Sequence, residues 1–420
     1  MAFTIDPDKM PQLIRQAKQA LRAKNPDYPA TFAAMGASVQ QEIAEIIALR
    51  DAGESVVPEL AYADIAAGKI TQAQRELIQK RGCVVIRDTF PDELATSWNQ
   101  QVGRYVEDNG FYETPDKGLD QYFSSLQSGK PQIISVYWSK PQIEARQHEN
   151  MAVARRFLNR LWQYEHEGEQ VFDPDHECSY ADRTRRREPG DSSLGLKPHM
   201  DGGSVERWLE KDGFHNVYRH LINGNWQDYD PFAAAFRTQT QEIPSPAVCS
   251  MFRTFQGWTA LTPQGPGDGT LQLIPSARVL GWMFLRALQD DVPEDSLCEA
   301  IPGRALQCLP QWHQMVLDGL CSIPHMQPGD TVWWHPDVVH AVEDQHQGDG
   351  YSNVIYIGAA PYCEKNVAYL AGQRERFLNG ESAPDFAAEN YEVDYKGRAG
   401  LDDLTVLGKQ QMGFYNTPEN

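Results

Sequence analysis

The sequence contains few cysteines, no apolar run of membrane-spanning length and no visible export signal. Its seven cysteines among 420 residues are scattered and never occur in Cys-x-x-Cys spacing, which argues against a zinc ribbon or a disulfide framework. No segment approaches the roughly eighteen consecutive apolar residues of a transmembrane helix. The segment from Met1 to Asp8 lacks the basic region and apolar run of a secretory signal. We therefore expect a cytoplasmic protein with reduced thiols and no membrane partner.

Positively charged residues are also scarce relative to negatively charged ones. The chain has 38 lysines and arginines against 58 aspartates and glutamates, so its formal net charge is −20. Because nucleic-acid binding depends on neutralising phosphates with basic side chains, this balance argues against a nucleic-acid partner. A local exception is the arginine-rich run over 183–187. Two interpretations of that run stay open: a solvated charged loop and a binding site for a small acid.

The first part of the chain shows helical periodicity. Apolar residues recur at three- and four-residue steps from Asp8 to about Ala52, which predicts helices there. A shorter helix is predicted from Gln72 to Lys80, because Thr71 can cap its start and Gly82 can end it. The apolar segment Cys83–Ile86 that follows is predicted to be a buried strand. This succession marks the entry into the main domain.

The middle of the chain is rich in short strand-like segments. Between 226 and 274, β-branched and aromatic runs alternate with glycine and proline turns, which is typical of an antiparallel sandwich or barrel. We therefore predict an α+β protein with a mainly β core. Its three predicted parts are an N-terminal helical extension over 1–70, the main domain over 71–362, and a C-terminal helix and tail over 363–420 that pack on the main domain.

Two His-x-Asp triplets provide candidate metal ligands. Alternate side chains of a strand point to the same face, so His199 and Asp201 on a strand could bind one ion together. His335-Pro336-Asp337 has the same spacing, but its proline is disfavoured within a central strand. Composition alone would produce roughly one or two such triplets, so the motif needs support from its surroundings. The alternative for His199 is a surface or hydrogen-bonded core histidine beside a turn.

His340 is the best candidate for a third ligand. If residues 335–340 formed one strand, the five-residue offset would place His335 and His340 on opposite faces, so they should not bind the same ion. Two histidines and one carboxylate with open coordination positions are typical of non-haem Fe(II) oxygenases. His199, Asp201 and His340 would form such a set.

Several segments together resemble one enzyme superfamily. Their order is similar to that in the Fe(II)/2-oxoglutarate-dependent dioxygenases, in particular the phytanoyl-CoA-hydroxylase-like group, over roughly 72–360. The chain as a whole resembles the YbiU-like bacterial family. The segments that carry the resemblance are the helix, glycine and strand over 72–86, His199-x-Asp201, Trp258-Thr-Ala-Leu261, Gly269-Thr-Leu-Gln-Leu-Ile-Pro-Ser276, and Gly329-Asp-Thr-Val-Trp-Trp-His335 with His340.

The resemblance implies both a fold and a chemistry. The implied fold is a double-stranded β-helix, or jelly roll, with flanking and N-terminal helices. The implied cofactor is Fe(II), with 2-oxoglutarate as co-substrate, O₂ as oxidant and a small molecule as the substrate to be hydroxylated. In similar enzymes the distal histidine follows the Gly-Asp strand at the greater distance, which favours His340 over His335 as the ligand. Trp258 would line the co-substrate site, although it could equally be a core aromatic residue.

The co-substrate side departs from the family pattern. Similar enzymes place an arginine or lysine shortly after the distal histidine to hold the far carboxylate of 2-oxoglutarate, but residues 350–354 contain no basic residue. A carboxylate in an apolar site requires a cationic or multiply donating partner. Either 2-oxoglutarate is not used or another strand supplies the cation. We rank Arg253 and Arg278 first because both lie near the Trp258 strand; the remaining candidates are Lys197 and Arg187.

Two alternatives to an oxygenase remain open. The chain could be a jelly-roll protein that binds a ligand, with or without a metal, and performs no turnover. It could also be a cupin-like metalloenzyme that uses the same three ligands for another metal. The substrate and the oligomeric state cannot be derived from the sequence.

Overall fold

A computed structural model describes residues 5–115, 117, 119, 131–193, 197–246 and 248–415. The helices in this part of the chain are α1 (Met10–Lys24), α2 (Tyr28–Asp51), α3 (Tyr62–Ala66), α4 (Gln72–Arg81), α5 (Asp92–Asp108), α6 (Lys140–Gln147), α7 (Glu149–Asn159), α8 (Glu206–Leu209), α9 (Phe214–Val217), α10 (Arg219–Ile222), α11 (Val279–Arg286), α12 (Pro310–Leu317), α13 (Glu364–Asn379) and α14 (Val406–Gln411). The strands are β1 (Glu59–Ala61), β2 (Cys83–Arg87), β3 (Ile133–Ile134), β4 (Glu165–His166), β5 (Glu169–Gln170), β6 (Asp173–Cys178), β7 (Thr184–Arg187), β8 (His199–Met200), β9 (Phe255–Ala260), β10 (Leu271–Leu273), β11 (Leu306–Gln307), β12 (Cys321–Ser322), β13 (Thr331–Trp334), β14 (His340–Val342) and β15 (Ser352–Tyr362).

The architecture is mixed α/β with several sheets. The larger sheet has the strand order β1-β2-β13-β9-β15-β7-β3, with β6 also paired to β15. The smaller sheet has the order β11-β8-β14-β10-β12, and β4 and β5 form a separate hairpin. All pairings are antiparallel except that of β1 with β2. The predicted combination of helices with antiparallel strands is confirmed, and within the described residues neither large sheet closes into a barrel.

The predicted helix and strand at the domain entry are confirmed. The Thr71 hydroxyl accepts a hydrogen bond from the Gln74 backbone amide at 3.3 Å, and the Gln74 side chain accepts one from the Thr71 amide at 2.9 Å. This reciprocal cap satisfies two amides that a helix N-terminus leaves unpaired. Gly82 ends α4 with φ of 65°, and a Cβ atom there would lie 2.6 Å from a methyl group of Val338. Glycine is therefore needed where α4 turns into β2.

The N-terminal helices α1 and α2 confirm the helical periodicity of the first fifty residues. Buried Val39 and Ile43 of α2 belong to the same hydrophobic cluster as Met200 of β8. Lys18 of α1 is buried, and its ammonium group donates hydrogen bonds to the carbonyl oxygens of Val292 and Pro293 at 3.1 and 2.9 Å. The helical extension is therefore built into the layer behind the smaller sheet.

The two large sheets pack against each other. One hydrophobic cluster combines Trp258 and Trp334 of the larger sheet with Leu271 and Leu273 of the smaller sheet. The arginine-rich run forms strand β7 of the larger sheet, so the interpretation as a solvated loop is wrong. No helix in the described ranges combines the length and apolar composition needed to cross a membrane.

Candidate metal centre

His199 and His340 lie directly opposite each other on neighbouring strands of the smaller sheet. Strands β8 and β14 are antiparallel with His199 in register with His340, and the ring centroids are 4.3 Å apart. Residues opposed in this way point to the same face of a sheet. Both imidazoles therefore project from the smaller sheet into the cavity. Asp201 follows β8 immediately, and Gly202, with φ of 80°, begins the turn that carries the chain away. A glycine adopts this backbone conformation without steric cost.

The three predicted ligands converge on one point. His199 Nε2 lies 3.7 Å from Asp201 Oδ1, and His340 Nε2 lies 3.5 Å from Asp201 Oδ2. One potential ligand atom from each residue lies within 4.8 Å of the others. His199 Nδ1 is 2.7 Å from the carbonyl oxygen of Lys197, and His340 Nδ1 is 3.4 Å from that of Val338. Protons held at Nδ1 by these carbonyls leave the Nε2 lone pairs free for a metal.

Burial and charge favour the protonation states that metal binding needs. Burial, together with the nearby His199, lowers the pKa of His340 to about 3, so its imidazole is neutral at physiological pH. Burial alone would raise the pKa of the Asp201 carboxyl, but His340, His199 and Arg253 lower it overall. The cluster therefore presents the neutral imidazole of His340 and the ionised carboxylate of Asp201. This donor set fits Fe(II) and other divalent transition metals.

Arg207 holds the turn that carries Asp201. Its guanidinium group donates hydrogen bonds to the carbonyl oxygens of Asp201, Gly202 and Gly203 at 3.0, 3.2 and 3.1 Å. Arg207 is almost fully buried, and its Nη1 lies 3.5 Å from a carboxylate oxygen of Asp337. The Asp201 carboxylate is thus presented by a backbone segment that is fixed by a buried cation.

The side chains of His335 and Asp337 in the second triplet, His335-Pro336-Asp337, are buried and bonded to neighbouring residues. His335 is buried and stacks on Trp162 at a ring distance of 4.6 Å. Its Nε2 lies 3.0 Å from the Pro231 carbonyl oxygen, and its Nδ1 accepts a hydrogen bond from the Asp337 amide at 2.9 Å. The Asp337 carboxylate pairs with Arg237 at 2.8 Å. Both potential ligands of this triplet therefore have partners within the protein.

The His-Asp-His cluster opens into a cavity between the two sheets. The cavity has a volume of about 960 Å³ including its open mouth. The larger sheet contributes Trp258, Trp334 and Tyr356 to its wall, opposite His199 and His340 of the smaller sheet. The segment after α13 contributes Asp385 and Phe386. The cavity is therefore partly aromatic and partly charged, and is large enough for a small molecule.

The predicted co-substrate residues fall into two groups. Trp258 and Arg253 line the cavity. The lining does not include the other three candidates: Lys197 is exposed, Arg278 precedes α11, and Arg187 is buried elsewhere. The guanidinium group of Arg187 is engaged in hydrogen bonds to backbone carbonyl oxygens, namely those of Gly269, Asp191 and Glu343.

Arg185 is a cavity residue that was not singled out among the candidates for holding a co-substrate. It lies on β7 opposite Val354 of β15, so its cross-strand neighbour belongs to the segment that lacks a basic residue. Among the residues that the structure describes, the buried guanidinium donates hydrogen bonds to neutral oxygens only, Gln264 Oε1 at 3.3 Å and Ser352 Oγ at 3.2 Å. Within the described residues it has no ion pair, and burial lowers its pKa. The spacing of Arg185 and Arg187 is the signal that the sequence offers, since alternate residues of a strand point to one face.

The family of the chain follows from its sequence over almost its whole length. The family described as Gig2-like matches residues 8–414. The chain belongs to the Gig2-like family. Among similar proteins, YbiU of Escherichia coli K12, described as uncharacterised, is 44% identical over 420 residues, covering 99% of this chain and 100% of YbiU. The expected resemblance to YbiU is therefore confirmed.

Two solved structures of relatives agree with the fold of this Gig2-like chain. A protein of Salmonella typhimurium LT2, whose name proposes an oxidoreductase, is 42% identical with a TM-score of 0.92, covering 98% of this chain and 99% of that one. GlcNAc Inducible Gene 2, GIG2, of Candida albicans is 27% identical with a TM-score of 0.81, covering 100% of this chain and 92% of that one. Bacterial and fungal members of the family thus share this architecture.

Proposed function

We propose that this chain is a non-haem Fe(II), 2-oxoglutarate-dependent oxygenase that hydroxylates a small molecule. The observation that carries the proposal is the convergence of His199, Asp201 and His340 at the wall of a cavity between two sheets. The name of the Salmonella relative supports an oxidoreductase. We interpret the facing antiparallel sheets as a jelly roll, the fold implied by the ordered sequence motifs.

The two histidines and the aspartate would hold Fe(II) and leave coordination positions for a 2-oxo acid and O₂. Iron bound there would supply the coupled chemistry in which one oxygen atom enters the substrate and the other enters succinate as CO₂ is released. The role of the protein is to keep His340 neutral and Asp201 ionised. The carbonyl groups of Lys197 and Val338 orient the imidazoles, because they accept the Nδ1 protons.

Arg185 is the residue that we assign to the far carboxylate of 2-oxoglutarate. The positive charge of a buried arginine is poorly compensated when its hydrogen-bond partners are neutral. A carboxylate can form two parallel, charge-assisted hydrogen bonds with the planar guanidinium group. Ser352 accepts a hydrogen bond from Arg185 at 3.2 Å and donates one to Gln264 at 2.6 Å, so it helps to orient the guanidinium group. Because Val354 is the direct neighbour of Arg185 on β15, the cation comes from the adjacent strand instead of from residues 350–354. Trp258, on the same sheet face, would pack against the carbon chain.

Ferrous iron and 2-oxoglutarate provide the direct test. Addition of both under anaerobic conditions should produce a weak visible metal-to-ligand band in the wild type that is absent in His199→Ala. Exposure to O₂ should then release succinate and CO₂. If the band does not form in metal-loaded wild type, the oxygenase proposal is wrong.

The same measurements separate the alternatives. A ligand-binding jelly-roll protein would release no succinate under any condition. A cupin-like metalloenzyme would retain a different metal after reconstitution with a mixture of divalent ions, and metal analysis would identify it.

A further inference from the structure

A second cavity adjoins the first one at the candidate metal centre. It has a volume of about 510 Å³ including open space, and Arg207, Tyr218 and Arg237 are among its lining residues. Asp201, Cys249 and Arg253 line both cavities. A molecule in either cavity can therefore reach both the Asp201 carboxylate and the Arg253 guanidinium group.

Arg253 is buried and has no directly paired carboxylate among the described residues. Only 8% of its surface is exposed, and the contact described for its guanidinium group is with the Tyr180 ring, 5.2 Å from the ring centroid. Across the described ranges it donates no hydrogen bond and lies within 4.0 Å of no carboxylate oxygen. Nearby Arg207 and Arg237 differ in this respect, since both pair with Asp337. A buried guanidinium group without a direct hydrogen-bond acceptor is costly, so this arrangement favours a site for an anion.

Three carboxylates line the same cavity as Arg253, those of Asp182, Asp201 and Asp385, but none of them lies within 4.0 Å of its guanidinium nitrogens. In the proposed enzyme the Asp201 carboxylate binds the metal, and the divalent ion adds further positive charge beside Arg253. An anionic group in the cavity would form the direct, charge-assisted contact with Arg253 that these carboxylates do not make.

The backbone around Arg253 leaves room for its side chain. A Cβ atom at Gly358 of β15 would lie 3.2 Å from the Arg253 Cδ atom, which is closer than ordinary van der Waals contact. Tyr180 supplies an aromatic face on the cavity side. The guanidinium group is therefore held at the junction of the two cavities by packing alone, and its hydrogen-bond donors remain available.

We propose that Arg253 binds a carboxylate or phosphate group of the primary substrate, so that the enzyme acts on a small anionic molecule. This inference rests on the proposed function, in which Arg185 takes the co-substrate. The two arginines then divide the anions between them: Arg185 holds 2-oxoglutarate, and Arg253 holds the group by which the substrate is recognised. The aromatic wall formed by Tyr180, Trp334 and Phe386 would contact the rest of the substrate.

Calorimetric titration of the full-length protein tests this assignment. Acetate and inorganic phosphate serve as the two anionic probes, and neutral acetamide serves as the control, each added to protein saturated with Fe(II) and 2-oxoglutarate without O₂. We expect at least one anion to bind, and Arg253→Gln to weaken that binding about tenfold to hundredfold. Arg253→Lys should retain part of it, because the charge is kept. The probe that binds more tightly, acetate or phosphate, identifies the type of anionic group that Arg253 recognises.

Three outcomes would overturn the assignment. The first is that neither acetate nor phosphate binds to the wild type, and the second is that folded Arg253→Gln binds them as tightly as the wild type does. The third is that Arg253→Gln loses affinity for 2-oxoglutarate while its affinity for acetate and phosphate stays the same. Far-ultraviolet circular dichroism and thermal unfolding establish that the variants are folded. Repeating the titrations on metal-free protein separates this proposal from the oxygenase proposal. Anion binding by Arg253 would persist in a protein that forms no band with Fe(II) and 2-oxoglutarate.

Discussion

The triplets at 199–201 and 335–337 have the same residue types at the same spacing, but their surroundings differ. In the first triplet the aspartate is followed by two glycines, and its carboxylate faces the imidazoles of His199 and His340. In the second, His335 is satisfied by backbone groups, and Asp337 is paired with Arg237. A pair of ligand-type residues is therefore a candidate metal site only when the protein leaves its ligand atoms without internal partners.

The two triplets are also connected through Arg207. This side chain lies against Asp337 and donates to the Asp201 carbonyl oxygen. Through Arg207, Asp337 of the second triplet thereby helps to position the turn that carries Asp201 of the first triplet. Substitutions in the two triplets should consequently affect metal affinity to different degrees and for different reasons.

The largest effect on metal affinity is expected for a direct ligand. His340→Ala removes one of three ligand atoms, and we expect the affinity for Fe(II) to fall by more than about 100-fold, beyond the usual effect of outer-shell changes. Anaerobic titration followed by metal analysis measures this loss. His176→Ala, which changes a half-buried histidine outside the cavity lining, is the control that should bind iron normally. Equal affinity of His340→Ala and wild type would remove His340 from the site.

An intermediate effect is expected for Asp337→Asn. The substitution leaves Arg237 and Arg207 without their buried carboxylate, so we expect the free energy of unfolding to fall by about 3–5 kcal/mol. Because Arg207 then holds the Asp201 turn less firmly, metal affinity should fall about tenfold. Urea denaturation and iron titration measure the two quantities. A loss of metal affinity as large as that of His340→Ala would contradict the positioning role.

Arg185→Gln should affect the co-substrate and spare the metal. We expect the Kd for 2-oxoglutarate to rise about tenfold to hundredfold, because a charge-assisted contact is lost, while iron affinity stays the same. Arg186→Gln is the matched control on the opposite face of β7, where Arg186 contacts Glu107 at 3.3 Å. Anaerobic titration of the visible band measures both variants. Equal Kd values for the two would exclude Arg185 as the anchor.

The smallest effect concerns the pH dependence of stability. Burial lowers the pKa of His335 to about 3, whereas an unfolded histidine has a pKa of about 6.5. As pH falls between these values, only the unfolded state binds the proton, so His335 contributes a loss of about 1.4 kcal/mol per pH unit. The free energy of unfolding of His335→Gln should therefore depend less steeply on pH between 6 and 4 than that of wild type. Parallel curves would show that His335 is not held neutral.

The sequence alone indicates the helices, the strands and the candidate metal ligands more directly than it indicates the proposed co-substrate residue. His199 and Asp201 are separated by one residue, so their proximity needs only local geometry. His340 required the distant segments to be aligned, which the ordered motifs supplied. Arg185 depends on the register of β7 against β15, and no periodicity within one strand reveals its partner strand. Arg278 lies close in sequence to strand β10, but it stands at the start of helix α11 and does not line the cavity.

The C-terminal segment shows the same limit. Asp385 and Phe386 reach the cavity from beyond α13, although their sequence neighbourhood carries no motif that relates them to the metal ligands. Their position results from tertiary packing: the Ser250 amide donates to the Asp385 carboxylate at 2.9 Å. Such contacts depend on how the C-terminal segment packs on the rest of the fold, which local sequence patterns do not reveal.

The most direct test of the central claim compares the two triplets in one titration. Wild type, His199→Ala and His335→Gln are each loaded with Fe(II) and 2-oxoglutarate without O₂, and the visible band is recorded against added iron. We expect wild type and folded His335→Gln to reach full intensity at one iron per chain, and His199→Ala to show no band. A band retained in His199→Ala, or lost only in His335→Gln, would contradict the assignment of the metal to His199, Asp201 and His340.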